Sequence, residues 1–280
     1  MRSIIFALAI FLVLMVGLQN AAAQSLLAYI EAPKAETSSA AGLSGAKTET
    51  FNSLPLGNQS SPFVSAIGTF DFSPIAQGDI LAADAFGGGG NSQYMSFGAQ
   101  SGTSAPITIH LNGSYNYFGF WFSAGDVNNG ITFYSGGTAF ARFSTSNIVS
   151  LLSGTTVTAL NGNTYTSSAY YGNPNNGPNK GQDGGEPFTY VEIFTSGQTF
   201  DTVVLDNSGT TGTGFESDND TVYAGNLSPP TTDVFVGSLT VVPEPAHYAL
   251  LFGACILLLV YGRRIAGQFC QRDVEFGNFA

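Results

Sequence analysis

Short runs of strand-forming residues, separated by clusters of Gly, Asn and Pro, recur along the middle of the chain and limit its fold most strongly. This spacing favours a β-sandwich or jelly roll, because a βαβ fold needs a helical segment between consecutive strands. The one candidate helix is the short segment Thr145 to Leu152. The predicted strands are Ala66 to Phe72, Tyr94 to Phe97, Ile107 to Leu111, Tyr115 to Ser123, Ile131 to Tyr134, Ala139 to Phe143, Thr189 to Phe194, Phe200 to Leu205 and Asp233 to Val241. We therefore expect an all-β domain over residues 49–241.

The N-terminal segment has the order of a secretory signal peptide. A positively charged start is followed by the apolar run Ile4 to Leu18 and then by small residues, including Ala21 and Ala23. This order predicts a signal peptide over residues 1–23, with cleavage between Ala23 and Gln24. An uncleaved anchor helix is the alternative, but the apolar run is short for a membrane span.

Between the predicted signal peptide and the first predicted strand lies a segment without a clear pattern. Residues 24–48 are rich in Ala, Ser and Glu and show little hydrophobic periodicity. Because such a segment has little apolar surface to bury, we expect a flexible leader. Ordered structure should begin near Glu49.

A second apolar segment lies near the C-terminus. Val242-Pro243-Glu244-Pro245 precedes the stretch Ala246 to Gly262, and Arg263-Arg264 closes it. As a helix this stretch is about 25 Å long, which is short for a hydrocarbon core of about 30 Å. We expect a single transmembrane helix within residues 242–264. The arginine pair favours the cytoplasmic side, so residues 265–280 are predicted to be a cytoplasmic tail and the all-β domain an ectodomain.

Charge and cysteine content exclude two classes of site. The chain has a net charge of −11, and few Lys and Arg lie between its apolar ends. An acidic surface repels phosphate backbones, so we expect no nucleic-acid binding. Both cysteines, Cys255 and Cys270, lie in the C-terminal segment, so the ectodomain sequence offers neither a disulfide nor a thiolate metal site.

One predicted strand is aromatic on both faces. Alternation along Tyr115 to Ser123 separates the phenylalanines from Tyr115, Tyr117 and Trp121. If these three side chains are exposed, they form a platform on which sugar rings stack, as in a carbohydrate-binding module. If they are packed under a loop, they are part of the hydrophobic interior.

An acidic cluster provides a candidate calcium site. Glu216, Asp218 and Asp220 lie close together, and Asp206 stands on the far side of a Gly- and Thr-rich loop. Calcium takes six to eight oxygen ligands, which acidic loops of β-sandwiches supply. In many jelly rolls a calcium ion ties the first strand to the last loop, and by that analogy Glu49 is a further ligand. The alternative is a solvated acidic turn, and structural calcium is the one candidate cofactor.

Catalytic constellations are weak in this sequence. His110 lies in an alternating strand without a nucleophile motif nearby, which argues against a Ser-His-Asp enzyme. A glycosidase needs two carboxylates in a cleft, and the candidates Asp183 and Glu186 fall in a loop while Glu192 falls in a strand. We assign no catalytic residue and expect a protein that is not an enzyme.

The order of Pro-Glu-Pro, short apolar helix and arginine pair resembles the PEP-CTERM sorting signal of Gram-negative bacteria. The resemblance implies export by the Sec machinery and anchoring in the inner membrane. It also implies cleavage by an exosortase near Pro243-Glu244-Pro245 and transfer to the cell surface or extracellular matrix. This chain continues for residues 265–280 after the arginines, whereas members of the family usually end within a few residues of them.

Several ectodomain segments resemble a recurring ectodomain of PEP-CTERM proteins. The matching segments are Glu49-Thr50-Phe51, Gly87 to Gly90 before Tyr94-Met95, Tyr117 to Asp126, Gly185-Glu186-Pro187-Phe188, and Gly214 to Asn219 followed by Thr221-Val222. Members of the family often have a second Trp where this chain has Phe122 and a His where it has Asp220. The resemblance implies a β-sandwich and a surface location.

The function expected from these features is a structural or adhesive role at the cell surface, in biofilm or exopolysaccharide. Exopolysaccharide is then a candidate partner in addition to the exosortase and the Sec machinery. A carbohydrate-binding module is the first alternative, and a glycan hydrolase built around Glu186 or Glu192 is the second.

Overall fold

The computed structural model describes residues 25–72, 76–85, 90–207 and 213–241, together with positions 253 and 256. The predicted signal peptide, the sorting motif and the tail 265–280 lie outside the described residues. By its internal contacts the chain divides into two units, Met1–Val241 and Val242–Ala280. Within the described residues, none of the helices has the length and apolar character that a membrane crossing requires.

The first unit is built almost entirely of antiparallel strands. Its described part contains one α-helix, α1 (Thr145–Leu151), and one 3₁₀ helix (Ser167–Tyr170). The strands are β1 (Ser25–Ile30), β2 (Lys47–Glu49), β3 (Gly57–Gln59), β4 (Phe63–Val64), β5 (Gly68–Asp71), β6 (Gly78–Leu81), β7 (Tyr94–Gly98), β8 (Ile107–Tyr115), β9 (Tyr117–Phe122), β10 (Gly130–Ser135), β11 (Thr138–Ser144), β12 (Thr156–Thr158), β13 (Thr164–Thr166), β14 (Thr189–Ser196), β15 (Phe200–Asp206), β16 (Gly214–Tyr223), β17 (Val234–Ser238) and β18 (Thr240–Val241). The expected all-β class is confirmed.

Two sheets contain most of these strands. The large sheet has the order β17-β1-β14-β9-β16-β7-β6-β3, with β2 also paired to β16. The small sheet has the order β18-β11-β10-β15-β8-β5-β4, and β12 and β13 form a separate hairpin. The pairs β9–β14, β8–β15 and β7–β16 make up one long antiparallel ribbon that passes from the large sheet to the small sheet and back. This passage between sheets produces a sandwich-like architecture.

The hydrophobic core contains side chains from both sheets. Phe118 and Phe120 come from β9 of the large sheet, and Phe133 and Phe143 come from the small sheet. The rings of Phe118 and Phe133 meet edge to face with centroids 5.9 Å apart, and those of Phe120 and Phe143 do so at 6.2 Å. Edge-to-face packing of this kind adds to the free energy gained from burial of the rings.

Every one of the predicted strand runs contains a strand, and α1 matches the predicted short helix. The predicted flexible leader is wrong for its first part, because β1 (Ser25–Ile30) lies inside the large sheet between β14 and β17. Leu26, Ala28 and Ile30 are buried in the core. Pairing on both sides satisfies the backbone of β1 and buries its apolar side chains, which outweighs the weak local pattern.

The acidic segment around Glu216 is also a strand rather than a loop. It belongs to β16, which pairs with β9 on one side and with β7 and β2 on the other. The register shifts between Asp218 and Thr221, where Asn219 has a left-handed φ of 53°. This bulge allows polar and acidic residues to continue through a central strand whose side chains are covered on both faces.

Candidate functional site

The face of the large sheet that points away from the core carries the candidate site, and we call it the outer face. Alternation on β9 puts Tyr117 and Trp121 on this face, opposite the core phenylalanines. Two small aromatic clusters form here. One contains Trp121, Ala124, Phe188 and Tyr190, and the other contains Tyr29, Tyr117 and Phe194.

The predicted glycan platform is not exposed. Tyr117 has 0% of its surface accessible, Trp121 has 1% and Tyr115 has 6%. Tyr115 belongs to the main core rather than to the outer face of the large sheet, because it is the last residue of β8, a strand of the small sheet. Residues 31–46, which we call the cover segment, lie over part of the outer face, and Leu43 of this segment packs with Leu227 against the cluster around Tyr117. The prediction of a stacking surface is therefore wrong. The three aromatic side chains are instead packed beneath other parts of the chain.

Gly119 makes room for polar groups beneath the cover segment. It lies between Tyr117 and Trp121 on β9 and is directly opposite Glu192 of β14. A Cβ atom at this position would lie 2.6 Å from the hydroxyl oxygen of Tyr190, so a larger residue would displace that ring. The space over Gly119 is thus filled by two tyrosine hydroxyls, of which that of Tyr117 donates to Glu192 and that of Tyr190 donates to the backbone carbonyl of Asn219.

Three buried carboxylates meet at the edge of this region, and we call them the acidic triad. Glu31 follows β1, Glu192 lies on β14, and Asp233 precedes β17. Each has at most 1% of its surface exposed, and their closest carboxylate oxygens all lie within 4.8 Å of one another. The sheet register explains the meeting, since Ile30 of β1 pairs with both Val191 of β14 and Val234 of β17.

Part of the triad is hydrogen-bonded to neighbouring groups. Glu192 Oε1 accepts hydrogen bonds from the hydroxyl of Ser38 and, at 2.9 Å, from the hydroxyl of Tyr117. Glu31 accepts from the backbone N–H of Ser39 and, at 3.1 Å, from its hydroxyl. Two serines of the cover segment therefore hold the triad to the segment above it.

The remaining triad oxygens have no such donor. Glu192 Oε2 and both carboxylate oxygens of Asp233 are buried, and the Asp233 carboxyl lies against the carboxyls of Glu192 and Glu31 rather than against an N–H or hydroxyl donor. Burial, followed by contact with Glu192 and Glu31, raises the pKa of Asp233 to about 11. Burial likewise raises the pKa of Glu31. Since the salt bridges of the described residues are His110–Asp71 and Arg142–Asp206, no basic side chain in that part of the chain neutralises the triad.

The predicted calcium ligands do not converge in the same way. Asp206 pairs with the guanidinium of Arg142 on the small sheet, with Nη2 and Oδ1 2.8 Å apart. Asp220 lies opposite Glu49 in the β16–β2 register and accepts a hydrogen bond from Ser217. Within the described residues, the acidic triad is the group of three acids whose oxygens lie within 4.8 Å, and the five predicted ligands form no such group. The predicted convergence of all five is therefore wrong, because Asp206 lies elsewhere and Glu216 faces other acids, whereas Asp220 lies near both Glu49 and Asp218.

Burial still perturbs the acids of β16. It raises the pKa of Asp218 to about 7 and that of Asp220 to about 8. Glu216 has its pKa raised by burial and by the charges of Asp183 and Glu186, so it belongs with these loop acids and not with Asp218. Burial, together with the charges of neighbouring acids, raises the pKa of Glu186 to about 7.

Sequence reasoning missed the triad because its members are far apart along the chain. One sequence feature pointed to a buried acid. Glu192 is the one acidic residue in the apolar strand β14, where it lies on the same face as Tyr190 and Phe194. A carboxylate in a strand with both faces apolar is rarely buried without a partner. Finding that partner requires the β1 register, which local patterns do not provide.

A separate cavity of about 440 Å³ lies beside the cover segment. Among the residues that the structure describes, no aromatic side chain lines it. Its polar lining residues are Lys34, Glu36, Asp84, Asn91, Asn175 and Asn176.

Comparison with known proteins adds no family assignment. A scan against protein-family models and a search of the curated proteins both found no match. The class of the protein is therefore defined by its fold and its site, which are those of an antiparallel, sandwich-like β domain with buried acidic groups.

Proposed function

We propose that this chain is an exported cell-surface or extracellular-matrix protein with a structural or adhesive role in biofilm or exopolysaccharide. The observation that carries the proposal is the position of the fold between the two predicted processing sites. Strand β1 begins at Ser25, directly after Gln24, and strand β18 ends at Val241, directly before Val242. Cleavage at both sites would leave every strand of the sandwich in the mature protein.

The sorting route in this proposal follows from the resemblance to PEP-CTERM proteins. The Sec machinery exports the chain, and the C-terminal helix holds it in the inner membrane with Arg263-Arg264 on the cytoplasmic side. An exosortase then cuts near Pro243-Glu244-Pro245 and passes the sandwich to the surface. The division of the chain between Val241 and Val242 supports this order, because the proposed cut falls outside the folded unit.

We further propose that the sandwich is a jelly roll. The support is the ribbon of β7–β16, β8–β15 and β9–β14 pairs, which alternates between the two sheets. Burial of apolar surface stabilises such a domain without disulfides. A non-catalytic role is supported by the burial of Glu192, which places this candidate acid beneath the cover segment and away from any polymeric substrate.

The test is a host strain that lacks the gene and is complemented with variants of the full chain. Wild-type protein should appear in the surface fraction and restore adhesion or matrix integrity. Changing Pro243, Glu244 and Pro245 to alanine should leave the protein in the inner membrane with loss of that phenotype. The matched control replaces two exposed loop prolines, Pro55 and Pro62, with alanine and should behave as wild type. Normal surface delivery of the triple variant would contradict the sorting route, and full adhesion of the gene-deleted strain would contradict the role.

A further inference from the structure

We propose that Glu31, Glu192 and Asp233 bind a calcium ion, which ties the first strand of the sandwich to the segment that precedes β17. The site is distinct from the acids of β16 and does not depend on the proposed export route. It is built by three elements that the fold brings together at one end of β1.

The spacing of the carboxylates suits a single ion. Calcium binds oxygen at 2.3–2.6 Å, so two ligands on opposite sides of one ion are about 5 Å apart. The triad oxygens lie within 4.8 Å of one another, so one ion can contact all three carboxylates with little movement of the backbone.

The unpartnered oxygens are a second and independent observation. Asp233 is fully buried, and apart from the carboxyls of Glu192 and Glu31, which lie against it, neither of its carboxylate oxygens has a hydrogen-bond donor. Glu192 Oε2 is also buried without such a donor, whereas Glu192 Oε1 accepts hydrogen bonds from Ser38 and Tyr117. A buried carboxylate without a donor or countercharge is costly, and three oxygens at one place point to a missing positive group.

A shared proton is the competing explanation. A proton between Asp233 and Glu192 joins two oxygens, and a second proton, between Asp233 and Glu31, is needed to join the third. One divalent cation contacts all three carboxylates and neutralises two charges, so it accounts for the arrangement more completely.

The ligand chemistry selects a hard cation. All three side chains offer carboxylate oxygens, and neither His nor Cys belongs to the group. Oxygen-only sites favour calcium, magnesium or manganese over zinc and copper. Magnesium keeps several waters and demands near-octahedral geometry, whereas calcium accepts irregular sites, so a buried set taken from three separate elements fits calcium best.

The ion would also fix the cover segment. Ser38 and Ser39 donate to Glu192 and Glu31, so the triad orients the chain that covers Tyr117. Calcium would hold β1, β14 and the residue before β17 in one position and thereby keep the aromatic outer face closed. Without calcium, the cover segment should open more readily.

The experiment uses the full chain in mild detergent, with thermal melting in calcium and in chelator and with terbium luminescence. Wild type should melt several degrees higher at a hundredfold excess of calcium over Kd. Terbium should bind with emission sensitised by the neighbouring Tyr117. The variants Asp233→Asn and Glu192→Gln keep the shape and remove the charge, so they should fold, lose the calcium shift and bind terbium at least tenfold more weakly.

Asp218→Asn is the matched control, because Asp218 is another buried acid, and it belongs to β16. It should keep the calcium shift and the terbium signal of wild type. The proposal is overturned by equal melting of wild type in calcium and chelator. It is also overturned if calcium still raises the melting temperature of both triad variants. A calcium-dependent rise that only Asp218→Asn abolishes would overturn it as well.

Discussion

Raising the pH from 5 to 8 in the presence of a chelator should destabilise the sandwich, with Asp233 as the largest single cause. Its carboxyl has a pKa of about 11 in the folded chain, against an ordinary value of 3.8. Between these two values the folded state holds one more proton than the unfolded state. The free energy of unfolding must therefore fall as the pH rises.

One excess proton lowers the free energy of unfolding by about 1.4 kcal/mol per pH unit. Over three pH units, the proton held by Asp233 together with Glu192 and Glu31 contributes a loss on the order of 4 kcal/mol, which is a large part of the 5–15 kcal/mol typical of a folded domain. The raised pKa values of Asp218 and Asp220, about 7 and 8, act in the same direction until the pH passes them. Calcium in the triad would displace the proton and flatten the dependence.

The assay is denaturant unfolding at pH 5, 6, 7 and 8 with chelator, for wild type and Asp233→Asn. Asparagine cannot ionise, so the stability of the variant should fall less steeply than that of wild type as the pH rises. Asp201→Asn, which changes a partly exposed acid of β15, should keep the wild-type slope. Parallel pH profiles of wild type and Asp233→Asn would refute the reasoning, as would wild-type stability that rises between pH 5 and 8.

Three further predictions concern the fold. Phe120→Ala removes a fully buried ring from the core and should cost about 3–5 kcal/mol in denaturant unfolding, whereas a cost below about 1 kcal/mol would contradict the packing. Deleting residues 25–30 should abolish cooperative melting because it unpairs β14 and β17, and a flexible leader would instead leave melting unchanged. The single Trp121 should fluoresce at short wavelength and resist quenching by iodide, while strong quenching would restore the exposed platform.

Local patterns were sufficient for the strands that alternate or carry many aromatic residues. In β9, alternation correctly assigned Phe118, Phe120 and Phe122 to one face, because a core between two sheets selects apolar residues every second position. The same alternation could not tell whether Tyr117 and Trp121 were exposed. That depends on the cover segment, whose path is fixed by tertiary contacts rather than by its own sequence.

Two other features required long-range information. Strand β1 has a short apolar sequence that gains its stability from pairing with β14 and β17, far away in the chain. The acidic triad unites Glu31, Glu192 and Asp233 only through that pairing. In β16, the acids look like a solvated turn in sequence, since polar residues rarely continue through a central strand. A bulge and a covered outer face make this possible here.

The most direct test of the proposed surface role is intact mass spectrometry of the protein recovered from the surface or matrix of its host. The mature chain should begin at Gln24 and end close to Pro243-Glu244-Pro245, so that both processing sites flank β1 and β18 without removing a strand. Recovery of a surface form that runs from Met1 to Ala280 would contradict the proposal, as would a mature terminus inside the sandwich.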